Sequence, residues 1–420
     1  MKTYTYTNAG TAKELSQLVT LFNKVFAPEK VGELAQILTD HFPGFSFPDW
    51  YIVKDESTGS VVSGFASIPW QWQFEGIPLK VAELGILGTD DDHRNKGLFK
   101  ANNEHFEHDL KAQDYDLAVI QGIPGIYHRL GYYYSLPMEN HTEVPLYAIQ
   151  DHLPIDMREA NSDDIPFLVE EERQFNRTYN ISSVRTAEHW QYILSHGKKS
   201  EYGSRIFIIT NQGKKYYIRI LDGGFGTGVH VSEASISMPA DTQRATFSYL
   251  KEEAARLEKS HIRLNLPEDH PFVKTAGAYG ATIRPSYAWQ IKIIDFGRFI
   301  GKIKQVLERR IQNSSFAGIT AITSINCYQF QINIHWKNGM IHDINTDQSD
   351  EATYTMSIPG QLLTQLLLGY RTWQEMQYIN PDVFPADQYL RFSCHQPSEI
   401  SGQFFTALFP KLSNWVNCQY

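Results

Sequence analysis

The stretch with the most evident chemical potential runs from Val81 to Phe99. It begins as an apolar strand and ends by opening a helix that we expect from about Gly97 to Lys111. The pattern puts Arg94, Lys96 and Gly97 in the first turn of that helix. Free amides, the helix dipole and two cations favour a diphosphate there, and a glycine permits close approach of the backbone. The equally weighted alternative is an ordinary strand-to-helix connection with a solvated polar start.

A carboxylate, Glu83, lies inside the apolar part of this stretch. Burial raises the pKa of a carboxyl towards neutrality, which suits a base that deprotonates an ammonium group. A carboxylate at the rim of the sheet, facing solvent, is the equal alternative. Two glycines, Gly85 and Gly88, weaken the strand as a ladder member and predict a bulge that splays it from its neighbour.

The elements that must position these residues form a pattern that occurs twice. Residues 1–151 hold an amphipathic helix, β-rich runs, the helix from Gly97 and a buried strand. The apolar residues of the first helix are Leu15, Leu18, Leu21, Phe22 and Phe26. Residues 152–295 repeat the order, with strands expected at Arg205–Thr210, Tyr216–Ile220 and Val229–Ser237 and a helix at Ala245–Leu257. A strand at Tyr287–Ile294 completes the second round. A glycine loop, Gly223–Gly228, lies between two strands and predicts a hairpin rather than a nucleotide loop. Residues 296–420 predict a smaller α+β domain with a hairpin turn at Asn338-Gly339. The fold class is mixed α/β.

Composition and charge narrow the range of functions that the chain could have. The chain has 420 residues, 42% of them hydrophobic, and a net charge of −9. No basic cluster for nucleic acid and no apolar span for a membrane is found, and an acidic protein favours cationic partners. The cysteines Cys327, Cys394 and Cys418 form no disulfide or metal pattern, which indicates a reducing cytoplasm. The histidines of the helix, His105 and His108, predict a solvated face rather than a metal site, so no metal is expected.

The segment Arg94-Asn95-Lys96-Gly97-Leu98-Phe99 resembles the GCN5-related N-acetyltransferase superfamily, whose signature is Arg/Gln-x-x-Gly-x-Gly/Ala. Phe99 departs from the small residue at the last position. A tyrosine four residues before a glycine is the general acid of the superfamily, and Tyr127 stands in that relation to Gly131. A phenol there could protonate the thiolate of coenzyme A as the amine attacks. A structural tyrosine in an aromatic stretch is the alternative.

The resemblance implies acetyl-CoA as cosubstrate and no metal. It also gives Glu83 the place of the general base in one branch of the superfamily. The strand backbone from Leu84 would meet the acetyl-pantetheine arm and polarise the thioester carbonyl. The residues implied to contact acetyl-CoA are Ile86, Leu87, Gly88, Thr89, Arg94, Asn95, Lys96, Gly97, Leu98, Phe99 and Gly122.

Over its whole length the chain is similar to the enhanced intracellular survival (Eis) acetyltransferases. That likeness implies an active domain (1–151), a degenerate second copy (152–295) and a sterol-carrier-like domain (296–420). It implies a small-molecule or peptide amine as acceptor, such as an aminoglycoside, a polyamine or a lysine-like amine, and a homo-oligomer, a hexamer in the family. It also offers the terminal carboxylate of Tyr420 as the base. A non-catalytic protein that binds lipid or acyl-CoA through the last domain is the competing hypothesis.

Overall fold

The computed structural model describes residues 3–200, 203–222, 227–284, 286–346, 352–386, 399–418 and 420. Three sheets flanked by helices make up the described chain, and each mixes parallel with antiparallel pairs or is joined by crossovers. This is the mixed α/β fold class expected from the sequence. Cys394 and residues 223–226 of the glycine loop lie outside the described residues. The strands on either side of that loop pair in antiparallel fashion, as in a hairpin.

The first sheet has eight strands in the order β1-β2-β3-β4-β5-β14-β6, with β9 paired to β3. Its strands are β1 (Tyr4–Asn8), β2 (Trp50–Asp55), β3 (Ser60–Phe74), β4 (Ile77–Thr89), β5 (Leu117–Ile120), β6 (Tyr133–Glu139), β9 (Ile181–Ser183) and β14 (Tyr287–Ile293). The helices packed with it are α1 (Ala12–Val25), α2 (Val31–His41) and α3 (Leu98–Ala112). The side chain of Thr11 caps α1, which buries the stripe Leu15, Leu18, Leu21 and Phe22.

The second sheet has six strands in the order β7-β13-β12-β11-β10-β8. They are β7 (Thr142–Pro145), β8 (Asp156–Glu159), β10 (Ser204–Asn211), β11 (Lys214–Leu221), β12 (Val229–Ala234) and β13 (His261–Leu264). Its helices are α4 (Ile165–Thr178), α5 (Ala187–Ser195), α6 (Ala240–Arg256) and α7 (Pro271–Gly277). The strands and the long helix expected in the second round are therefore present.

The assignment of one strand to the second round is wrong. β14 lies in the first sheet, where it pairs with β5 on one side and with β6 on the other. In exchange, β7 leaves the first half of the chain and pairs with β13 in the second sheet. Each sheet thus holds a strand from the other half of the repeat, because sheet order depends on long-range pairing that a linear pattern does not encode.

The third sheet has five strands in the order β17-β16-β15-β18-β19. They are β15 (Ala321–Asn326), β16 (Gln331–Lys337), β17 (Met340–Asn345), β18 (Tyr354–Ser357) and β19 (Phe384–Ala386). The helices are α8 (Phe296–Lys302), α9 (Lys304–Gln312), α10 (Gly360–Leu367), α11 (Trp373–Ile379) and α12 (Glu399–Leu408). The expected hairpin turn is confirmed, since Asn338 and Gly339 join β16 to β17 with φ values of 52° and 76°.

The last residues of the chain leave the region of the third sheet and run back to the first sheet. The Trp415 amide donates to the Ile181 carbonyl of β9 at 2.9 Å, and the Asn414 side chain donates to the Leu368 carbonyl at 2.8 Å. The ring of Tyr420 then packs at the first sheet, edge-on to Trp70 with ring centroids 6.0 Å apart. Within the described ranges, no helix is long and apolar enough to cross a bilayer.

Candidate active site

In the first sheet, β4 continues well beyond its pairing with the parallel strand β5. β4 and β5 pair in parallel over Val81–Glu83 and Leu117–Val119, and the pairing ends there. The residues of β4 that follow, from Leu84 to Thr89, continue beyond the last pair with β5. Separation of two parallel strands leaves backbone amides and carbonyls of β4 free to bind an extended ligand.

A bulge coincides with this separation. On the β3 side, Gly64 pairs with Gly88 and Ala66 with Gly85, so two residues of β4 stand opposite one of β3. One of the two, Ile86, has a φ of 51°. The bulge expected from the sequence is therefore confirmed, with Ile86 and its successor as the bulged residues.

The two glycines have a packing role. A Cβ atom on Gly88 would lie 2.8 Å from Cδ1 of Phe22 in α1, and one on Gly85 would lie 2.8 Å from Cδ1 of Ile68. Both distances are too short for carbon atoms. The glycines thus let α1 and β3 pack closely against the strand at the bulge.

Residues 94–97 lead from β4 into α3 and are exposed. Asn95 and Gly97 have φ values of 61° and 73°, and a Cβ on Gly97 would meet no described atom within 4 Å. Gly97 is the N-cap of α3, and no side chain of the described chain caps the helix. The expectation that Arg94, Lys96 and Gly97 form the first turn is therefore corrected, because they precede it. The first amides of α3 therefore have no side-chain cap, and the space beside the Cα of Gly97 is open.

The two cations beside this space are held by the preceding acidic loop. Arg94 Nη2 lies 2.9 Å from Asp91 Oδ1, and Lys96 Nζ donates to the Asp92 carbonyl at 2.6 Å. Both side chains are exposed. Free amides at a helix start with two cations nearby favour an anion such as a diphosphate.

The phenol of Tyr127 lies near the start of α3. Tyr127 opens a short 3₁₀ helix, Tyr127–Leu130, and its side chain is buried. Its ring meets that of Phe99 edge-on, with centroids 5.9 Å apart. Burial raises the pKa of the phenol, so it keeps its proton at neutral pH. The bulky Phe99, which departs from the superfamily signature, therefore supports Tyr127.

Gly122 fixes the position of this ring from the other side. A Cβ on Gly122 would lie 2.2 Å from Cε2 of Tyr127. The Gly122 carbonyl accepts a hydrogen bond from the Gln290 side chain at 3.1 Å and another from the Tyr287 hydroxyl. Both donors belong to β14, the strand that the sequence reading assigned to the second unit, so their part in the site was missed and no local signal indicated it.

Glu83 is the last residue of β4 that pairs with β5, and it is buried. Its Oε1 accepts hydrogen bonds from Gln121 Nε2 at 3.0 Å and from the Tyr420 hydroxyl at 3.1 Å. Its Oε2 is buried and has no hydrogen-bond partner among the described residues. Burial raises the pKa of Glu83 to about 7, although the nearby polar groups of Tyr420, Gln121 and Trp70 act to lower it. The sequence left open whether Glu83 is buried or faces solvent at the rim of the sheet, and the structure shows that it is buried.

The end of the chain meets Glu83 through the phenol of Tyr420. The main-chain oxygen of Tyr420 accepts hydrogen bonds from Arg219 Nη2 at 3.2 Å and from the Cys418 thiol at 3.0 Å. The carbonyl of Cys418 accepts from Nη1 of Arg219 at 3.1 Å and of Arg185 at 3.2 Å. Two buried arginines of the second unit thus hold the tail in place.

A buried carboxylate balances these arginines. Glu233 accepts from Arg185 at 2.7 Å and 2.8 Å and from Arg219 at 2.8 Å. Burial alone would raise the pKa of Glu233, but the two guanidinium groups hold it at about 2. The sequence reading missed this cluster, although Arg219 and Glu233 lie in strands that it predicted. A charged residue in an apolar strand is the same signal that singled out Glu83.

The second unit differs at the matching helix start. α6 follows Pro239, and the carboxylate of Asp241 in its first turn accepts from the Thr242 amide at 2.7 Å. A negative charge already occupies this helix start, and it disfavours a second anion. Elsewhere in the described residues, no group of three or more His, Cys, Asp or Glu side chains is arranged to hold a metal ion.

Comparison with protein families identifies the first unit. Residues 7–135 match the family model described as an acetyltransferase (GNAT) domain. That segment includes the splayed strand, the start of α3 and Tyr127. No curated protein sequence matches the chain.

Solved structures resemble the chain over nearly its whole length. A GCN5-related N-acetyltransferase from Anabaena variabilis ATCC 29413 is 15% identical, with a TM-score of 0.69 and 99% of each chain covered. A probable N-acyltransferase from Enterococcus faecalis V583 is 14% identical, with a TM-score of 0.69 and 100% of each chain covered. Eis1 from Mycobacterium abscessus is 13% identical, with a TM-score of 0.63 and 100% of each chain covered. At these identities the likeness shows a shared fold.

The family match and the geometry of the splayed strand agree. The chain is therefore an acetyltransferase that carries a GNAT domain at residues 7–135, and over its whole length it shares the fold of these solved structures.

Proposed function

We propose that the chain transfers the acetyl group of acetyl-CoA to a primary amine of a cationic acceptor. The open helix start supports a site for the diphosphate of coenzyme A at residues 94–99, with Arg94 and Lys96 as counter-ions. The free backbone of Ile86–Thr89 would hold the pantetheine arm, and Gly122 would line the thioester end. An acidic protein with a net charge of −9 favours a cationic acceptor, such as an aminoglycoside, a polyamine or a lysine-like amine.

The observation that carries the proposal is the buried carboxyl of Glu83. A pKa of about 7 lets it accept a proton near neutral pH. Its oxygen Oε2 has no partner in the described chain, so an acceptor amine could donate to it. Glu83 thus combines a base of suitable strength with a free acceptor atom at the point where β4 and β5 separate.

The reaction would proceed by direct attack. Glu83 takes a proton from the ammonium group, and the amine nitrogen attacks the thioester carbon. The C–S bond then breaks, and the thiolate takes a proton from the phenol of Tyr127, whose raised pKa keeps that proton available. As the amide forms, the nitrogen loses its second proton, which restores the phenol of Tyr127. Glu83 then releases the first proton to solvent, so the products are an acetylated amine, free coenzyme A and one proton.

The likeness to Eis acetyltransferases offers the terminal carboxylate of Tyr420 as another base. In this chain the main-chain oxygen of Tyr420 accepts hydrogen bonds from Arg219 and Cys418, and the phenol is the group that reaches Glu83. A carboxylate neutralised by a guanidinium is a weaker base. We therefore favour Glu83.

Thiol release from acetyl-CoA with a panel of amines (spermine, kanamycin, lysine amide) tests the proposal. Tyr127→Phe should lower kcat by on the order of 10²-fold and leave the affinity for acetyl-CoA nearly unchanged, as expected for loss of a general acid. Glu83→Gln should lower kcat/KM by a similar factor. Tyr133→Phe is the matched control, a neighbouring tyrosine outside the site. Full activity of Glu83→Gln would remove Glu83 as the base.

Several further features remain proposals. We propose that residues 1–151, 152–295 and 296–420 are the domains, that the last is sterol-carrier-like, and that the chain forms a cytoplasmic homo-oligomer. Light scattering of the purified protein tests the oligomer, because a monomeric mass would contradict it.

A further inference from the structure

We propose that the phenol of Tyr420, the last residue of the chain, is a positioning residue that holds Glu83 for proton transfer. This inference rests on the proposed function of Glu83 as the base. It gives the chain terminus a role through its side chain, in place of its carboxylate. The phenol would act by orienting the carboxyl and by favouring its ionised form.

One oxygen of Glu83 accepts hydrogen bonds from both Tyr420 and Gln121. The Tyr420 hydroxyl donates to Oε1 of Glu83 at 3.1 Å, and Gln121 donates to the same oxygen at 3.0 Å. With Oε1 occupied by two donors, Oε2 is left for the acceptor amine. The arrangement fixes which oxygen of Glu83 takes part in proton transfer.

The ring of Tyr420 is held by aromatic neighbours of the first unit. It lies edge-on to Trp70 with centroids 6.0 Å apart and edge-on to Phe42 with centroids 6.3 Å apart. These contacts fix the direction of the phenol. They belong to β3 and to the end of α2, so the ring is part of the wall of the site.

The tail reaches this place because the second unit binds its backbone. Arg219 donates to the main-chain oxygen of Tyr420 and to the Cys418 carbonyl, and Arg185 donates to the same carbonyl. A guanidinium fork that binds a chain end sets the last residue in register. The main chain of Tyr420 is therefore held by Arg219, and the phenol is the group that reaches Glu83.

The groups around Glu83 determine in which direction its pKa should shift when the phenol is removed. Within the described chain, the titratable groups that act on Glu83 or are acted on by it are the Tyr420 phenol and the Cys418 thiol, both from the tail. Burial raises the pKa of that thiol to about 11, so it stays neutral. β3 presents Trp70 and the end of β5 is followed by Gln121, and neither titrates. A donor to a carboxylate lowers its pKa, so loss of the phenol should raise the pKa of Glu83.

The test is a titration of Glu83 that needs no acceptor. Full-length protein labelled with ¹³Cδ-glutamate is titrated by NMR, and the Glu83 resonance is identified by its loss in Glu83→Gln. Tyr420→Phe keeps the ring and removes the hydroxyl. We expect the midpoint of Glu83 to move upward by about one pH unit, the size of an ordinary hydrogen bond to a charged group.

The matched control is Tyr192→Phe. Tyr192 is a buried phenol that meets Phe42 edge-on at 5.2 Å, and its hydroxyl has no described partner. Its loss should leave the midpoint of Glu83 unchanged. An unmoved midpoint in Tyr420→Phe, with the protein folded, would overturn the inference. The proposed function would then stand or fall separately on the acetyl-transfer activity of Glu83→Gln.

Discussion

Replacing Gly122 by alanine tests the placement of the candidate general acid without touching it. Gly122 has no positive φ, so alanine is compatible with its backbone. The new Cβ would lie 2.2 Å from Cε2 and 2.5 Å from Cδ2 of Tyr127. Ordinary carbon contacts lie at about 3.5–4 Å, so the ring must move by roughly 1.5 Å. A displacement of about 1 Å in a reacting group can cost on the order of 10²-fold in rate.

We therefore expect kcat of Gly122→Ala to fall by about 10²-fold and the protein to lose about 1–3 kcal/mol of stability from overpacking. Thiol release measures the first quantity, and denaturant unfolding measures the second. Gly277→Ala is the control, since a Cβ there meets no described atom within 4 Å. A folded Gly122→Ala variant with wild-type kcat would refute the assigned role of Tyr127. Weaker acetyl-CoA binding at unchanged kcat would also refute it.

The remaining predictions concern the neighbours of Tyr127, the helix start and Glu83. Phe99→Ala removes the ring that supports Tyr127 and Phe65, so kcat should fall by about 10-fold and the melting temperature should drop, as in other losses of aromatic packing; thiol release and calorimetry measure the two. Gly97→Ala places a side chain at φ 73°, and a strain of about 1–3 kcal/mol at the helix start should weaken acetyl-CoA binding by 10-fold or more in calorimetric titration. Because Glu83 must lose its proton to act as a base and its pKa is about 7, kcat/KM should rise as pH increases through 7 and then level off; a flat profile from pH 6 to 8 would contradict this.

Local patterns predicted the elements that depend on local physics. The apolar spacing of Leu15, Leu18 and Leu21 predicted α1, and Asn338-Gly339 predicted the hairpin between β16 and β17. The exchange of β7 and β14 between sheets could not be predicted from the sequence. Both segments have the apolar pattern of a strand, and only tertiary packing determines which strand each one pairs with.

The candidate site likewise combines residues that local patterns predicted with residues that only long-range packing brings in. Glu83 was found because a carboxylate stands out in an apolar strand, and the glycines around it indicated the bulge. Tyr287 and Gln290 were missed because they enter the site through the exchanged strand. The hydrogen bond between Tyr420 and Glu83 spans almost the whole chain, and its geometry follows from the buried arginines that anchor the tail.

A crystal structure of the protein with bound coenzyme A tests the central claim most directly. We predict the diphosphate on the amides at the start of α3, beside Arg94 and Lys96, and the sulfur within hydrogen-bonding distance of the Tyr127 hydroxyl. Coenzyme A bound away from the splayed end of β4, or a sulfur that no hydrogen bond could join to Tyr127, would contradict the account.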